Sequence, residues 1–251
     1  GYPWCIGIES GGATGWAATD WMEEYVLRYG GEAEYTAWWK GKLAWSSPTV
    51  QKAAKKFAEV ALTPGNVNGG GKAIAATGFG ATANLFATDK NKCFMMRQGS
   101  FITDFFPDAV KAEYKANNFT RVGVFKLPAP AGTTDAVLGG GDLAAAFDAN
   151  PATQKVLNFI LSDKLGTGAM LATYPSYLSA HKTFPSAGYK NPITKNIAGI
   201  LSTAKLFGFD GSDLAPAVVN ATEWTELTNW IAGKKTQKQA FDAIDASWKK
   251  A

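Results

Sequence analysis

Histidine is almost missing from this chain: one residue, His181, in 251. A Ser-His-Asp hydrolase needs a histidine placed between a nucleophile and an acid, and nothing near His181 marks a nucleophile. A single histidine with no cysteine nearby is also a poor start for a metal site. Cysteine is scarce too. Cys5 and Cys93 fit no zinc spacing, and both lie in apolar, strand-like runs. Two buried thiols and one disulfide both remain open on that basis, the disulfide implying an oxidising compartment. No run approaches the length of a transmembrane helix. Charge is thin and mixed, 25 Lys+Arg against 21 Asp+Glu for a net +4. Pairs such as Lys55-Lys56 and Lys234-Lys235 fall on expected helix faces or ends. With no basic stripe interleaved with stacking aromatics, nucleic acid is not an expected partner. Repeats and low-complexity segments are absent. No basic-then-apolar leader precedes Gly1-Tyr2-Pro3, so the chain as given reads as mature, trimmed or cytoplasmic.

What is abundant is aromatic surface: nine Trp, eight Tyr and fifteen Phe within a 46% hydrophobic composition. That suits apolar sugar faces and suits a large core equally. The length allows one large domain or two modest ones, with a core that needs no metal. The stretch from Cys5 to Trp21 organises the rest. Cys5, Ile6 and Ile8 read as a short strand, Gly11, Gly12 and Gly15 as a turn, and the residues beyond as a helix start. Glu9 stands where the strand ends, the place where open α/β sheets bind ligands. A carboxylate accepts hydrogen bonds from hydroxyls and an indole covers an apolar ring face, so Glu9 with Trp16 and Trp21 suits a polyhydroxylated ring. Core tryptophans and a solvated Glu are the plainer reading.

Apolar residues at helical spacing from Ala18 to Tyr29 predict a helix that Gly30-Gly31 stops; it starts near Thr14, or at a capping box of Asp20 and Glu23. Trp38, Trp39 and Trp45 follow in a short helix and loop. Ser47-Pro48 opens a helix with Val50, Ala54, Phe57, Ala58 and Ala61 inward. Residues 72–86 read as helical despite Gly78 and Gly80. Strands are predicted at Phe94–Met96, Arg121–Leu127 and, broken by glycines, Val137–Phe147. Asn150-Pro151 caps a helix bearing Val156, Leu157, Ile160 and Leu161. Thr173–Pro192 reads as irregular, Ile193–Phe207 as a helix, Phe209–Pro216 as a turn and Thr222–Ala232 as a helix ended by Gly233. Thr236 caps a last helix.

Several tempting motifs fail. Gly70-Gly71-Lys72 is no phosphate loop, because residue 66 is Asn and residue 73 is Ala. Gly78-Phe79-Gly80 lacks the βαβ context of a dinucleotide turn. The acid pairs Glu23-Glu24 and Asp210 with Asp213 are better explained by a solvated helix surface and by turn-making than by glycosidase chemistry.

Five phrases together carry a resemblance: Pro-Trp-Cys-Ile-Gly-Ile-Glu-Ser-Gly from Pro3, Gly-Trp-Ala-Ala-Thr-Asp-Trp from Gly15, Cys-Phe-Met-Met-Arg-Gln-Gly-Ser-Phe from Cys93, Gly-Gly-Gly-Asp from Gly139, and Phe-Asp-Gly-Ser-Asp-Leu-Ala-Pro from Phe209. Over nearly its whole length the chain resembles the extracellular solute-binding proteins (family 1) of carbohydrate ABC transporters, those for α-glucosides above all, and more distantly maltose-binding protein. The resemblance implies an α/β, periplasmic-binding-protein-like (type II) fold, mainly its C-terminal lobe. Residues 1–138 and 174–251 would form that lobe, and 139–173 a hinge strand and helix of an N-terminal lobe whose main segment precedes this stretch in family members.

The resemblance also implies a role: capture of a sugar or oligosaccharide between two lobes for delivery to membrane permease subunits, without catalysis and without a cofactor or metal. Glu9 matches an acid that binds sugar hydroxyls, Phe101 and Trp224 match stacking aromatics, and Gly140, Gly141 and Asp142 match the hinge strand facing the ligand; Trp16 and Gln98 complete the expected set. Cys5 and Cys93 match a cysteine pair of close relatives, which implies a disulfide. The expected location is periplasmic or extracellular, compatible with a lipid anchor on the full-length protein. The missing lobe segment, as part of a longer chain or as a second chain, is an expected partner. The rival reading is a glycan hydrolase with Glu9 and Asp142 as its acid and nucleophile.

Overall fold

A computed structural model describes residues 1–86, 92–115, 121–167, 176–181 and 183–251. These residues divide into two compact units. The first comprises Gly1–Gln98, Leu127–Gly139 and Ala204–Ala251, the second Gly99–Lys126 and Gly140–Thr203. The division differs from the boundaries expected from sequence, since residues 99–126 and 174–203 group with 140–167.

The first unit is α/β. Strand β1 (Tyr2–Trp4) pairs in parallel with β2 (Cys93–Met95), Tyr2 opposite Cys93 and Trp4 opposite Met95. Strand β3 (Ala136–Gly139) pairs in parallel with β4 (Leu206–Phe209). An isolated parallel bridge joins Glu9 to Gly78. Parallel pairing requires a long crossover, and helices make up most of the one from β1 to β2. The opening strand thus lies ahead of its expected place: residues 5–8 leave the ladder, bury their side chains, and run to Glu9.

Helix α1 (Trp16–Trp39) is two helices joined at Gly31, whose φ of 65° breaks the helical backbone, so the expected stop at Gly30-Gly31 is a kink and the chain resumes its helix. Its N-cap is Gly15, which places Asp20 and Glu23 inside the helix and removes the capping box. Helix α2 (Pro48–Ala61) begins where Ser47-Pro48 predicts it, with Val50, Ala53, Ala54, Phe57 and Ala61 buried. The stretch 72–86 is shorter in helix than expected: α3 (Gly70–Ala76) ends before the Gly78 bridge and a single-turn helix follows over Gly80–Asn84. After β4, Asp210 caps the short α7 (Gly211–Leu214) by accepting from the Asp213 N–H. Helix α8 (Ala217–Ile231) starts five residues before the expected Thr222, behind Pro216. Thr236 caps α9 (Gln237–Ser247) in a reciprocal capping box with Gln239.

One core holds this unit together, and the tryptophans are its framework. Ring centroids run Trp4–Trp21 at 5.5 Å, Trp21–Phe57 at 6.1 Å, Phe57–Trp230 at 5.7 Å, Trp230–Phe241 at 5.6 Å, Phe241–Trp45 at 4.8 Å and Trp45–Trp38 at 5.0 Å. Much of the aromatic excess is therefore structural. Such pairs add about 0.5–1.5 kcal/mol each beyond their buried area. Cys5 and Cys93 form a disulfide with a Cα separation of 5.4 Å, tying the end of β1 to β2.

The second unit contains a short 3₁₀-helix at Ser100–Phe105, α4 (Asp108–Lys115), α5 (Pro151–Ile160) and α6 (Pro192–Thr203). Phe184 and Tyr189 pack together at 4.8 Å with Tyr177 and Leu178 around them. Asn150 caps α5 as expected, accepting from the Thr153 N–H. Three expectations fail. Residues 121–127 form no strand. The strand expected to Phe147 ends at Gly139, beyond which 140–150 are exposed. The helix expected to Phe207 ends at Thr203, because Leu206–Phe209 enters the ladder with β3. The expected irregular run at 173–192 is irregular as far as Asn191 where described, apart from one 3₁₀ turn at Ser186–Gly188, with residues 173–175 and 182 outside the described residues.

Candidate ligand-binding site

Glu9 ends a buried run and is itself half-buried. Its backbone is fixed on both sides: its N–H donates to the Thr77 carbonyl and its carbonyl accepts from the Phe79 N–H, at 3.0 and 3.1 Å. One carboxylate oxygen accepts from the Gly11 N–H at 2.7 Å, which holds the side chain against the glycine turn. The turn is closed by Thr14, whose hydroxyl accepts from Ser10 N–H and donates to the Gly11 carbonyl. Gly15 N–H then returns to the Ile8 carbonyl at 3.0 Å. Trp16, the first residue of α1, is consequently set beside Glu9. Its half-buried ring meets the ring of Phe79 nearly edge-on, centroids 5.1 Å apart at 70°.

Trp224 reaches the same corner from α8. A Cβ built on Gly15 would stand 2.3 Å from the Trp224 carbonyl oxygen, so the two backbones touch. The Trp224 ring is half-buried and its indole N–H is buried. Glu9, Trp16 and Trp224 thus belong to one region of the first unit. Gln98 is half-buried at the end of that unit, following Arg97.

The remaining expected residues lie in the second unit. Phe101 is 39% exposed, and its ring folds back over Gly99 at a distance of 2.4 Å from where a Cβ would be. Gly140, Gly141 and Asp142 are exposed beyond the end of β3, outside the ladder rather than in a strand.

Further along α1 lies a buried charge network, at acids whose sequence suggests a solvated helix face. Glu23 and Glu24 are both buried. Arg97 binds Asp20 at 2.7 Å and Glu24 at 3.3 Å, and Glu24 also binds the buried Arg28, which donates to the Ala136 carbonyl. This pins the segment following β2 onto α1 and so positions Gln98. Glu23 accepts from the Gly211 and Ser212 N–H groups at 2.7 and 3.1 Å and lies 2.9 Å from the Tyr35 hydroxyl. That hydroxyl is also 2.7 Å from the Phe209 carbonyl. Burial pushes the Glu23 carboxyl well above the usual range, and the charges of Asp210 and Asp20 add to it. Burial likewise pushes Asp20 up to about 6 against the pull of Arg97, and pushes Glu223 up to about 8 with help from Asp210. The helical spacing of Asp20, Glu24 and Arg28 with the apolar Trp21, Tyr25 and Leu27 is compatible with burial, but only the position of Arg97 decides it. The Asp210–Asp213 pair is turn-making, as expected. Among the described residues no group of acids, histidines or cysteines is arranged to hold a metal ion, and no helix is long and apolar enough to cross a membrane.

No protein-family profile matches the chain, and no solved structure is significantly similar to it. Two curated proteins are. The osmoprotective compounds-binding protein GgtB of Synechocystis sp. is 32% identical over 248 residues, which is 98% of this chain and 56% of that protein. The alpha-glucosides-binding periplasmic protein AglE of Rhizobium meliloti is 34% identical over 247 residues, 98% of this chain and 53% of that protein. The chain spans about half the length of these relatives. The resemblance carried by the phrases at Pro3, Gly15, Cys93, Gly139 and Phe209 stands, and the disulfide it implied is present.

Proposed function

We propose that this chain, a relative of periplasmic solute-binding proteins over the stretch it covers, is mainly the C-terminal lobe of a non-catalytic, type II solute-binding protein that captures an α-glucoside-like sugar outside the cytoplasm and delivers it to the permease of an ABC transporter. The observation that carries the reading is the corner of the first unit, where backbone hydrogen bonds around the Glu9–Gly78 bridge hold the Glu9 carboxylate near the start of α1 and its Trp16 ring, and the Trp224 backbone meets Gly15. A sugar presents hydroxyls at its rim and C–H faces above and below, and those need an acceptor and an aromatic surface. Of the two relatives, the one named for binding alpha-glucosides agrees with that chemistry.

Phe101, Gln98, Gly140, Gly141 and Asp142 are proposed as further contacts in the whole protein. Residues 139–173 are proposed to belong to the lobe that the rest of the protein supplies, of which 168–173 lie outside the described residues. The support is a run of exposed apolar side chains, Leu143, Phe147, Val156, Phe159 and Leu161, with Phe147 fully exposed. Burying them requires further protein. Calorimetric titration of the purified chain with maltose, trehalose and sucrose, with analysis of the sugars afterwards, tests the function. Saturable binding without new products is expected. Hydrolysis products would replace the reading with the glycosidase one, and absence of saturable binding to all three sugars would overturn it.

A further inference from the structure

In the sequence Phe79 sits in a failed dinucleotide motif, and the fold fixes it beside Glu9. The bridge from Glu9 to Gly78 brings the segment after α3 alongside the end of the opening run. The Phe79 backbone is anchored at both ends: its N–H donates to the Glu9 carbonyl at 3.1 Å, and its carbonyl accepts from the buried hydroxyl of Thr82. Its ring is half-buried and stands at 70° to the Trp16 ring. The second Glu9 carboxylate oxygen, the one not held by Gly11, faces Gly78, 3.4 Å from where a Cβ would be. It has no hydrogen-bond partner among the described residues.

We propose that Phe79 is a specificity-determining residue of the sugar site, making with Trp16 a two-walled aromatic corner beside the Glu9 carboxylate that accepts one hexopyranose ring. The proposal rests on Glu9 and Trp16 being sugar contacts. A single platform covers one ring face and lets the ring turn in its own plane. A second wall near a right angle to the first meets the ring's rim and fixes which hydroxyls point at Glu9. Sugars that differ in linkage present different rims, so the second wall selects among them. Such selection requires a ring whose position is locked by its neighbours.

The test is calorimetric titration of the full chain and its Phe79→Ala, Phe79→Leu and Trp16→Ala variants with maltose and trehalose, folding being checked by circular dichroism. Phe79→Ala should weaken the better sugar about tenfold and reduce the ratio of the two affinities. Phe79→Leu, which keeps apolar bulk and packs against Trp16 without a ring, should stay folded and lose the ratio too. Wild-type affinity and ratio in both Phe79 variants, with loss in Trp16→Ala, would overturn the role of Phe79 and leave the site standing. Wild-type behaviour in all three variants, or no saturable binding by the parent chain, would overturn the site reading and this proposal with it.

Discussion

Gly15 lies against Trp224 so closely that any side chain on it would collide with backbone: a Cβ would be 2.3 Å from the Trp224 carbonyl oxygen and 2.6 Å from its Cα. Gly15 also has a φ of 117°, a conformation that residues with a Cβ avoid. One glycine therefore joins the start of α1 to α8, and with them Trp16 to Trp224. Gly15→Ala should destabilise the chain by about 2–5 kcal/mol, combining backbone strain with overpacking. Urea denaturation measures it. A midpoint unchanged from the parent would mean that the two helices do not meet as described.

The disulfide closes a loop with a sequence separation of 88 residues. In the chain-entropy model a loop of that size contributes roughly 4–5 kcal/mol. The Cys5→Ser, Cys93→Ser double variant should lose a large part of that, and reduction of the parent chain should have the same effect. Thermal unfolding with and without dithiothreitol checks both. Two titratable thiols in unreduced, denatured protein would contradict the bond itself.

Glu223 gives the chain a pH dependence whose sign is fixed. Its native carboxyl is raised to about 8 from an ordinary 4.5, first by burial and then by Asp210. The folded state keeps a proton there that the unfolded chain releases, so the stabilising contribution is complete below about pH 4.5 and is lost as pH rises towards 8. Glu223→Gln removes that slope. At about 1.4 kcal/mol for each pH unit, the stability of the variant relative to the parent should rise by about 3–4 kcal/mol between pH 5 and pH 8. Asp20 and Glu23, also raised, slope the same way and remain in the variant. Parallel stability curves for the two proteins across that range would refute the assignment.

Breaking the Arg97 hub leaves Asp20 without its cation, while Glu24 keeps Arg28. Removing one partner of a buried pair costs about 3–5 kcal/mol. Arg97→Met should lose that much in urea denaturation at pH 7.5. It should recover part of the loss at pH 5, where Asp20, already raised to about 6 in the parent, takes up a proton. A uniform small loss at both values would show the pair to be incidental.

The sequence made the helix starts legible wherever a local signal sits at the boundary: Ser47-Pro48, Asn150-Pro151 and Thr236 each mark a true N-terminus. It misled where a distant partner decides. Leu206–Phe209 has the apolar content of a helix end and becomes strand only because Ala136–Gly139 offers a ladder. Glu23-Glu24 reads as surface until Arg97, Tyr35 and the Gly211 and Ser212 amides close around it. In the proposed site, Glu9 and Trp16 are legible because the end of an apolar run, a glycine turn and a helix start are adjacent in sequence. Phe79 is not, since only the Glu9–Gly78 bridge brings it there.

The most direct test of the sugar-capture account is to follow the indole and glycine amide NMR signals of the ¹⁵N-labelled chain during titration with the best-binding of maltose, trehalose and sucrose. The nine tryptophans include buried core residues, such as Trp21, Trp38 and Trp45, and the half-buried Trp16 and Trp224. The account predicts progressive shifts of the Trp16 and Trp224 indoles and of the Gly11 and Gly78 amides, with the Trp21, Trp38 and Trp45 indoles unmoved. It also predicts that Trp224→Ala weakens binding by about 2 kcal/mol, or roughly thirtyfold, and that Glu9→Gln weakens it less, because an amide still accepts one hydrogen bond. Saturating shifts that leave Trp16, Trp224, Gly11 and Gly78 in place would contradict it.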